Sequence, residues 1–287
     1  MSEILETLAM LSMLVFVISS MLSMGLSLTV KGIIEPLKDT RLVILALATN
    51  FVLVPLVAIL LTLVLPLDKS VEIGLILLST AAGAPFLPKL VEVAKGNIAF
   101  SVGLMVLLMV VTIIYLPIVL PLLLGDVEVN PWDIAKSLII MMLIPLVIGL
   151  FIRARYEEAA AKVQPTFAMA ANIGIILLAV LGLVLNFDSM IALVGSYGIL
   201  AAIIFVVLAL VIGYLLGGKD PAIKSVTGLG SGQRNIAAAL VVAGQNFDAD
   251  VITYLMVVAI IGFVVLFPSA GELGKRVKRV EKEGSIE

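Results

Sequence analysis

Polar and apolar positions along this chain fall into long blocks rather than the short alternations of half-buried strands. A helix needs about 20 consecutive apolar residues to cross about 30 Å of hydrocarbon. Stretches of that kind predict spanning helices at about 5–28, 42–66, 97–124, 132–153, 164–186, 190–218 and 250–270. Two more apolar stretches are interrupted. The stretch 71–94 contains STAAGAPFLP followed by Lys89, and 221–247 contains GLGSGQRN with Arg234 inside it. Counting both predicts nine transmembrane helices in one domain, 1–270, followed by a basic tail, 271–287. The expected fold class is all-α integral membrane, with two discontinuous helices.

Composition agrees with the pattern. Hydrophobic residues make up 62% of the 287 and charged residues 13%, against about 45–50% and about 25% in an ordinary soluble domain. A formal net charge of -2 offers no basic excess for a phosphate backbone, so no nucleic-acid partner is expected. The chain has no cysteine and no histidine, which excludes thiolate and Ser-His nucleophiles, His-liganded zinc and iron–sulfur clusters. No catalytic residue, metal site or cofactor is expected. The start, MSEILETLAM, has no positive n-region and reads as the mature first helix.

Charge gives the orientation. With nine spans and the N-terminus outside, 14 of the 18 Lys and Arg fall on the cytoplasmic side, Lys69 and Lys136 outside, and Lys89 and Arg234 within spans. That is the bias expected of a multi-pass protein of the cell membrane with a cytoplasmic C-terminus. The tail GELGKRVKRVEKEGSIE suits the membrane surface, so lipid is an expected partner. None of the 20 acidic residues lies at mid-membrane, and an intramembrane proton relay of the usual kind lacks its carboxylate. Oligomeric state has no signature in the pattern.

The interrupted stretches are third and eighth of nine. Spans 1–4 and 6–9 are therefore offset by an odd number of crossings, the arrangement of an inverted repeat with broken helices at equivalent places. A break frees backbone N–H and C=O groups that are tolerated at membrane depth only when buried or lining a wet cavity, so breaks mark a working site. Gly83, Pro85 and Pro88 in one, and Gly228, Gly230 and Gly232 in the other, are the residues expected to permit them; glycines that merely let helices pack closely are the alternative. Arg234, near mid-span, is a substrate- or ion-binding candidate or else satisfied internally at the break. Lys89 either joins it or pairs with Glu92 at i+3. Asn50, Ser79, Thr80, Ser101, Ser231, Gln233 and Asn235 are polar positions able to orient a ligand, whereas Asn172 reads as an interhelical hydrogen bond.

Four segments, MGLSL (24–28), Asn50 with Pro55, AKGNIAFSV (94–102) and GQRNIAAAL (232–240), resemble the bile acid:sodium symporter family in its compact prokaryotic form. The resemblance implies a core domain from spans 2–4 and 7–9, a panel domain from spans 1, 5 and 6, and an amphipathic organic anion moved between them by alternating access. Its first sodium site maps to Leu87, Pro88, Ser101, Met105 and Gly230, of which only Ser101 is a ligand type. Its second shares Gly230 and adds Asn50 and Arg234. The resemblance therefore implies a secondary or facilitative carrier of an organic anion (bile-acid-like, a keto acid or another carboxylate) without ordinary two-sodium coupling. Arg234, and with it Lys89, would stand where Na⁺ sits. A sodium symporter with a degenerate site and an anion channel or receptor-like protein are the alternatives.

Overall fold

Apolar stretches this long can satisfy their backbone in lipid only by coiling, and the chain does so throughout. The computed structural model describes residues 2–125, 130–185, 193 and 196–284, and among them regular structure is entirely helical. The helices are α1 (Ser2–Ser27), α2 (Val30–Ile34), α3 (Thr40–Val64), α4 (Lys69–Thr80), α5 (Leu87–Val93) and α6 (Ile98–Leu123). They continue as α7 (Pro131–Arg155), α8 (Glu157–Leu185), α9 (Gly198–Leu216), α10 (Pro221–Gly232), α11 (Ile236–Asn246) and α12 (Ala249–Gly284). Seven of them, α1, α3, α6, α7, α8, α9 and α12, are long and apolar enough to cross a membrane. Side-chain oxygens cap several starts: Asp39 accepts from Leu42 N, Asn97 from Phe100 N and Asp220 from Ala222 N.

The helices gather into two groups. α1 packs along α8 and α7. Gly25 of α1 and Gly149 of α7 face each other so closely that a Cβ on either would overlap the other's backbone, the small-residue contact by which helices associate where no hydrophobic force separates protein from lipid. Gly174 of α8 meets α1 the same way, where a Cβ would lie 2.8 Å from Phe16 N. The second group is built from α3, α4, α5, α6, α9, α10, α11 and α12, which contact one another throughout.

Helix α4 has 12 residues and α10 also 12, each about 18 Å long at 1.5 Å per residue, and each stops in the interior of the second group. α4 gives way at Ala81 to extended backbone, and α5 begins after a turn at Pro85 and Phe86. α10 gives way at Gln233, also extended, and α11 begins after Asn235. α12 runs on unbroken to Gly284, and Leu273 and Val277 are buried against the protein, so the tail's first turns dock on the second group instead of lying free.

Candidate functional site

Gly83 takes φ +80°, and a Cβ there would come within 2.7 Å of Met105 O on α6; only glycine suits both the dihedral and the contact. This lets the first interruption press into α6, where Thr112 serves it twice: Ala82 N donates to Thr112 Oγ1 at 2.9 Å, and Thr112 Oγ1 donates to Ala82 O at 3.1 Å. The second interruption lies directly on the first. Asn235 N donates to Ala81 O at 2.9 Å and its Nδ2 to Gly83 O at 3.0 Å, while its Oδ1 caps α11 by accepting from Ala238 N. One backbone bond, Asn235 N to Ala81 O, joins the two breaks directly, and the side chains of Thr112, Asn235 and Arg234 satisfy most of the other freed groups.

Arg234 sits at this meeting point with 4% of its surface exposed. Its Nε donates to Leu78 O at 3.2 Å, Nη1 to Asn50 Oδ1 at 2.7 Å and Ser231 O at 3.4 Å, and Nη2 to Ser79 O at 2.6 Å and Asn50 O at 3.4 Å. Asn50 is held in place by its Nδ2, which donates to Ala46 O and to Ser231 Oγ.

The Asn50 carbonyl is free to accept for a local reason. Residues Thr49–Leu53 form one turn of π-helix in which Val54 N bonds Thr49 O rather than Asn50 O, and Pro55 has no N–H for Phe51 O. The two released carbonyls find side chains: Asn50 O takes Arg234, and Phe51 O takes the Tyr115 hydroxyl at 2.6 Å.

The other expected positions divide. Gly228 and Gly230 lie inside continuous α10 and do not break it; a Cβ on Gly228 would meet Leu210 O at 3.1 Å, and one on Gly230 would meet Leu87 Cδ2 at 3.1 Å. Gly232 closes α10, and the break follows it. Pro88 occupies the first turn of α5, where a missing N–H costs nothing, and Pro85 is in the turn before it. Ser101 is fully buried, but its hydroxyl donates back to Ile98 O; Ser79 and Thr80 hydroxyls likewise bond their own helix. Lys89 is not brought to the cluster. Its Nζ pairs with Glu92 Oε2 at 2.9 Å, with 68% of the side chain exposed.

A cavity of about 330 Å³ opens beside Arg234, between the two groups of helices. Phe16, Ser20 and Asn172 line it from α1 and α8, and Phe86, Gln233 and Phe263 from the other side. Its volume is within the range of small-molecule sites. Asn172 therefore faces the cavity rather than tying helices together. Gln233 Oε1 is buried without a hydrogen-bond partner, and Arg234 is the sole charged residue among those lining the cavity. A larger cleft of about 1030 Å³ lies at the helix ends near Asp39, Asn97 and Asp220. Arg41 and Lys219 there are balanced by Glu35, Asp39 and Asp220, so it offers an anion no comparable field. Among the described residues no group of acidic side chains able to hold a metal ion exists.

Thr112 and Tyr115 belong to this site and were not among the residues expected from sequence. A signal was available: Thr112 is eleven residues, three helical turns, after Ser101 in an otherwise apolar helix, hence on the same face.

Comparison with known proteins adds lineage. The model of the sodium bile acid symporter family matches residues 13–217. An uncharacterized sodium-dependent transporter of Bacillus subtilis is 26% identical over 54% of this chain and 49% of its own length. A probable chloroplastic sodium/metabolite cotransporter of Arabidopsis thaliana is 24% identical over 79% of this chain and 58% of its own. A rice counterpart is 21% identical over 72% of this chain and 51% of its own. The chain spans about half the length of the curated relatives it matches.

Proposed function

The chain belongs to the sodium bile acid symporter family, and from that footing we propose that it carries an organic anion by alternating access, without ordinary two-sodium symport. The observation that carries this reading is the cavity beside Arg234: a mostly apolar chamber between two helix groups, with one positive charge in its wall and no carboxylate to offset it. Such a chamber favours a molecule with an apolar body and a negative group. In this reading α1, α7 and α8 are the panel and the second group is the core. The pairs α4–α5 and α10–α11 are single interrupted crossings, bringing the total to nine in an inverted repeat. The N-terminus lies outside and the C-terminus in the cytoplasm of the cell-membrane protein.

Binding is assigned to Arg234 through its field, and to Gln233 and Asn172 through their free polar atoms; Asn50, Ser231 and Asn235 position the guanidinium and the breaks. Two features favour a mechanism without the usual sodium pair. Around Gly230 the space is filled by the Leu87 side chain, with Leu104 Cδ2 beyond it, side chains that offer a hard cation no oxygen. The oxygens around Asn50 already serve Arg234.

The test is exchange in proteoliposomes loaded with cholate or pyruvate, following entry of the same labelled anion. Counterflow that persists when sodium is replaced by choline is expected. Ion conduction without exchange would favour a channel instead, and uptake that rises steeply with a sodium gradient would overturn the uncoupled mechanism.

A further inference from the structure

The five N–H groups of the Arg234 guanidinium are all matched by protein oxygens: Leu78 O, Ser79 O, Ser231 O, Asn50 O and Asn50 Oδ1. None of these is a carboxylate. Four are backbone carbonyls and the fifth is a carboxamide, each a neutral dipole with its negative end turned on one small volume. Convergent carbonyl dipoles are the donor set with which proteins replace the hydration shell of a bare monovalent cation. Three of the four carbonyls have local reasons to be free: Ser79 precedes the end of α4, Ser231 precedes the end of α10, and Asn50 O is released by the π turn, whereas Leu78 O also accepts from Ala81 N at 3.2 Å. Without a cation those three would face one another dry, which a membrane interior does not tolerate. The contrast with Lys89, exposed and neutralised by Glu92, shows that a basic residue near a break is not by itself drawn into such a cage.

We propose that the cage formed by the ends of α4 and α10 and the π turn of α3 is a monovalent-cation site that the chain fills with its own guanidinium. The positive charge that would otherwise come from solution is here fixed to α10–α11 and stays with the core through the whole cycle. This deepens the carrier reading and rests on it for the use made of the charge, namely attracting an anion into the adjacent cavity. The cage itself rests on the five oxygens. Removing the side chain should therefore leave a small oxygen-lined space that accepts a cation from outside.

The experiment is thermal unfolding of the purified full chain in detergent, in sodium, potassium, dilute guanidinium or choline chloride at equal ionic strength. Wild type is expected to melt at the same temperature in sodium and in choline. Arg234→Ala is expected to melt lower in choline and to recover part of the loss in guanidinium or in a small alkali cation, because a ligand bound only by the folded state stabilises it. Arg234→Ala that melts identically in all four salts would overturn the proposal, as would wild type stabilised by sodium over choline. Arg234→Lys keeps a tethered cation, so it is expected to fold and to be indifferent to sodium; a sodium-specific rise in Arg234→Lys equal to that in Arg234→Ala would also overturn it. The two readings fail separately. Salt behaviour as expected together with no cholate or pyruvate exchange would keep the cage and remove the carrier.

Discussion

Where α1 meets α7, backbone lies on backbone across Gly25 and Gly149, whereas where α4 meets α10 the contact is a buried polar network around Arg234. Both regions are helix contacts in lipid-like surroundings, where burying apolar surface gains little and close packing or hydrogen bonds must do the work. The first group relies mainly on packing, joined by the hydrogen bond that Gln164 Nε2 of α8 donates to Ser23 Oγ of α1 at 2.9 Å. The second holds the buried ends of α4 and α10, and polar side chains are needed because helix ends have backbone groups to satisfy. The difference thus follows from whether the helices are whole.

The largest effect is expected in the packed contact. Gly25→Val puts a side chain into the Leu146 carbonyl and the backbone of Leu150, and such overpacking costs about 1–3 kcal/mol, occasionally more, with backbone on both sides placing this case at the upper end. Thermal unfolding should show a large drop, and a variant that melts like wild type would mean that the two helices are free to separate. Next comes Asn50→Ala in the polar network. It removes the 2.7 Å bond to Nη1 and the bond to Ser231 Oγ; loss of a hydrogen bond to a charged group costs about 1.5–3 kcal/mol. The same denaturation series measures it, and a loss below that of a surface substitution would show that Arg234 holds without Asn50.

Tyr115→Phe should be smaller. It deletes only the hydroxyl that donates to Phe51 O, while the rings of Phe51 and Tyr115 keep their 4.8 Å contact. One neutral hydrogen bond is worth about 0.5–1.5 kcal/mol, and the shift in melting temperature should be correspondingly modest. A loss as large as that of Asn50→Ala would place Tyr115 in the cation network rather than beside it.

The two regions were not equally legible in sequence. Whole helices are visible as apolar runs because every residue of a spanning helix meets the same solvent, and the described residues hold seven helices long and apolar enough to cross a membrane; the start of the expected span 190–218 lies outside the described residues. The ends of α4 and α10 fall at the stretches holding Gly83 and GLGSGQRN, but which glycine serves which purpose was not legible. Gly228 and Gly230 look like breakers in a string of letters and act as packing positions in a continuous helix. Arg234 and Lys89 were nearly equivalent as letters, each a lone basic residue by a break. What separates them is the convergence of carbonyls from α3, α4 and α10 on one and a carboxylate three residues away on the other. Backbone acceptors carry no side-chain signature, so most of the cage around Arg234 could not be read at all, Asn50 excepted.

The smallest effect is expected from a position that isolates the comparison. Helix α7 carries the same local device as α3: a π turn, Ile139–Leu143, in which Ile144 N bonds Ile139 O, followed by Pro145. By the same offset the carbonyls of Ile140 and Met141 lose their helical donors, yet no side-chain donor among the described residues bonds to either carbonyl, in contrast to Arg234 and Tyr115 on α3. Gln245 of α11 approaches this turn at a side chain instead, its Nε2 lying 3.9 Å from Met141 Sδ. Pro145→Ala gives one of these carbonyls an N–H and removes no side-chain partner, so its effect on unfolding should stay within about 0.5 kcal/mol or be slightly stabilising. Since Met141 lies against Gln245 of α11 across the two helix groups, anion exchange is the sharper measurement. Unchanged melting with slower cholate or pyruvate exchange is expected if the turn on α7 works as a hinge, and unchanged exchange would make it a passive kink. A large loss of stability would show instead that those carbonyls are already held, and that the packed group depends on polar contacts as much as the group that holds Arg234.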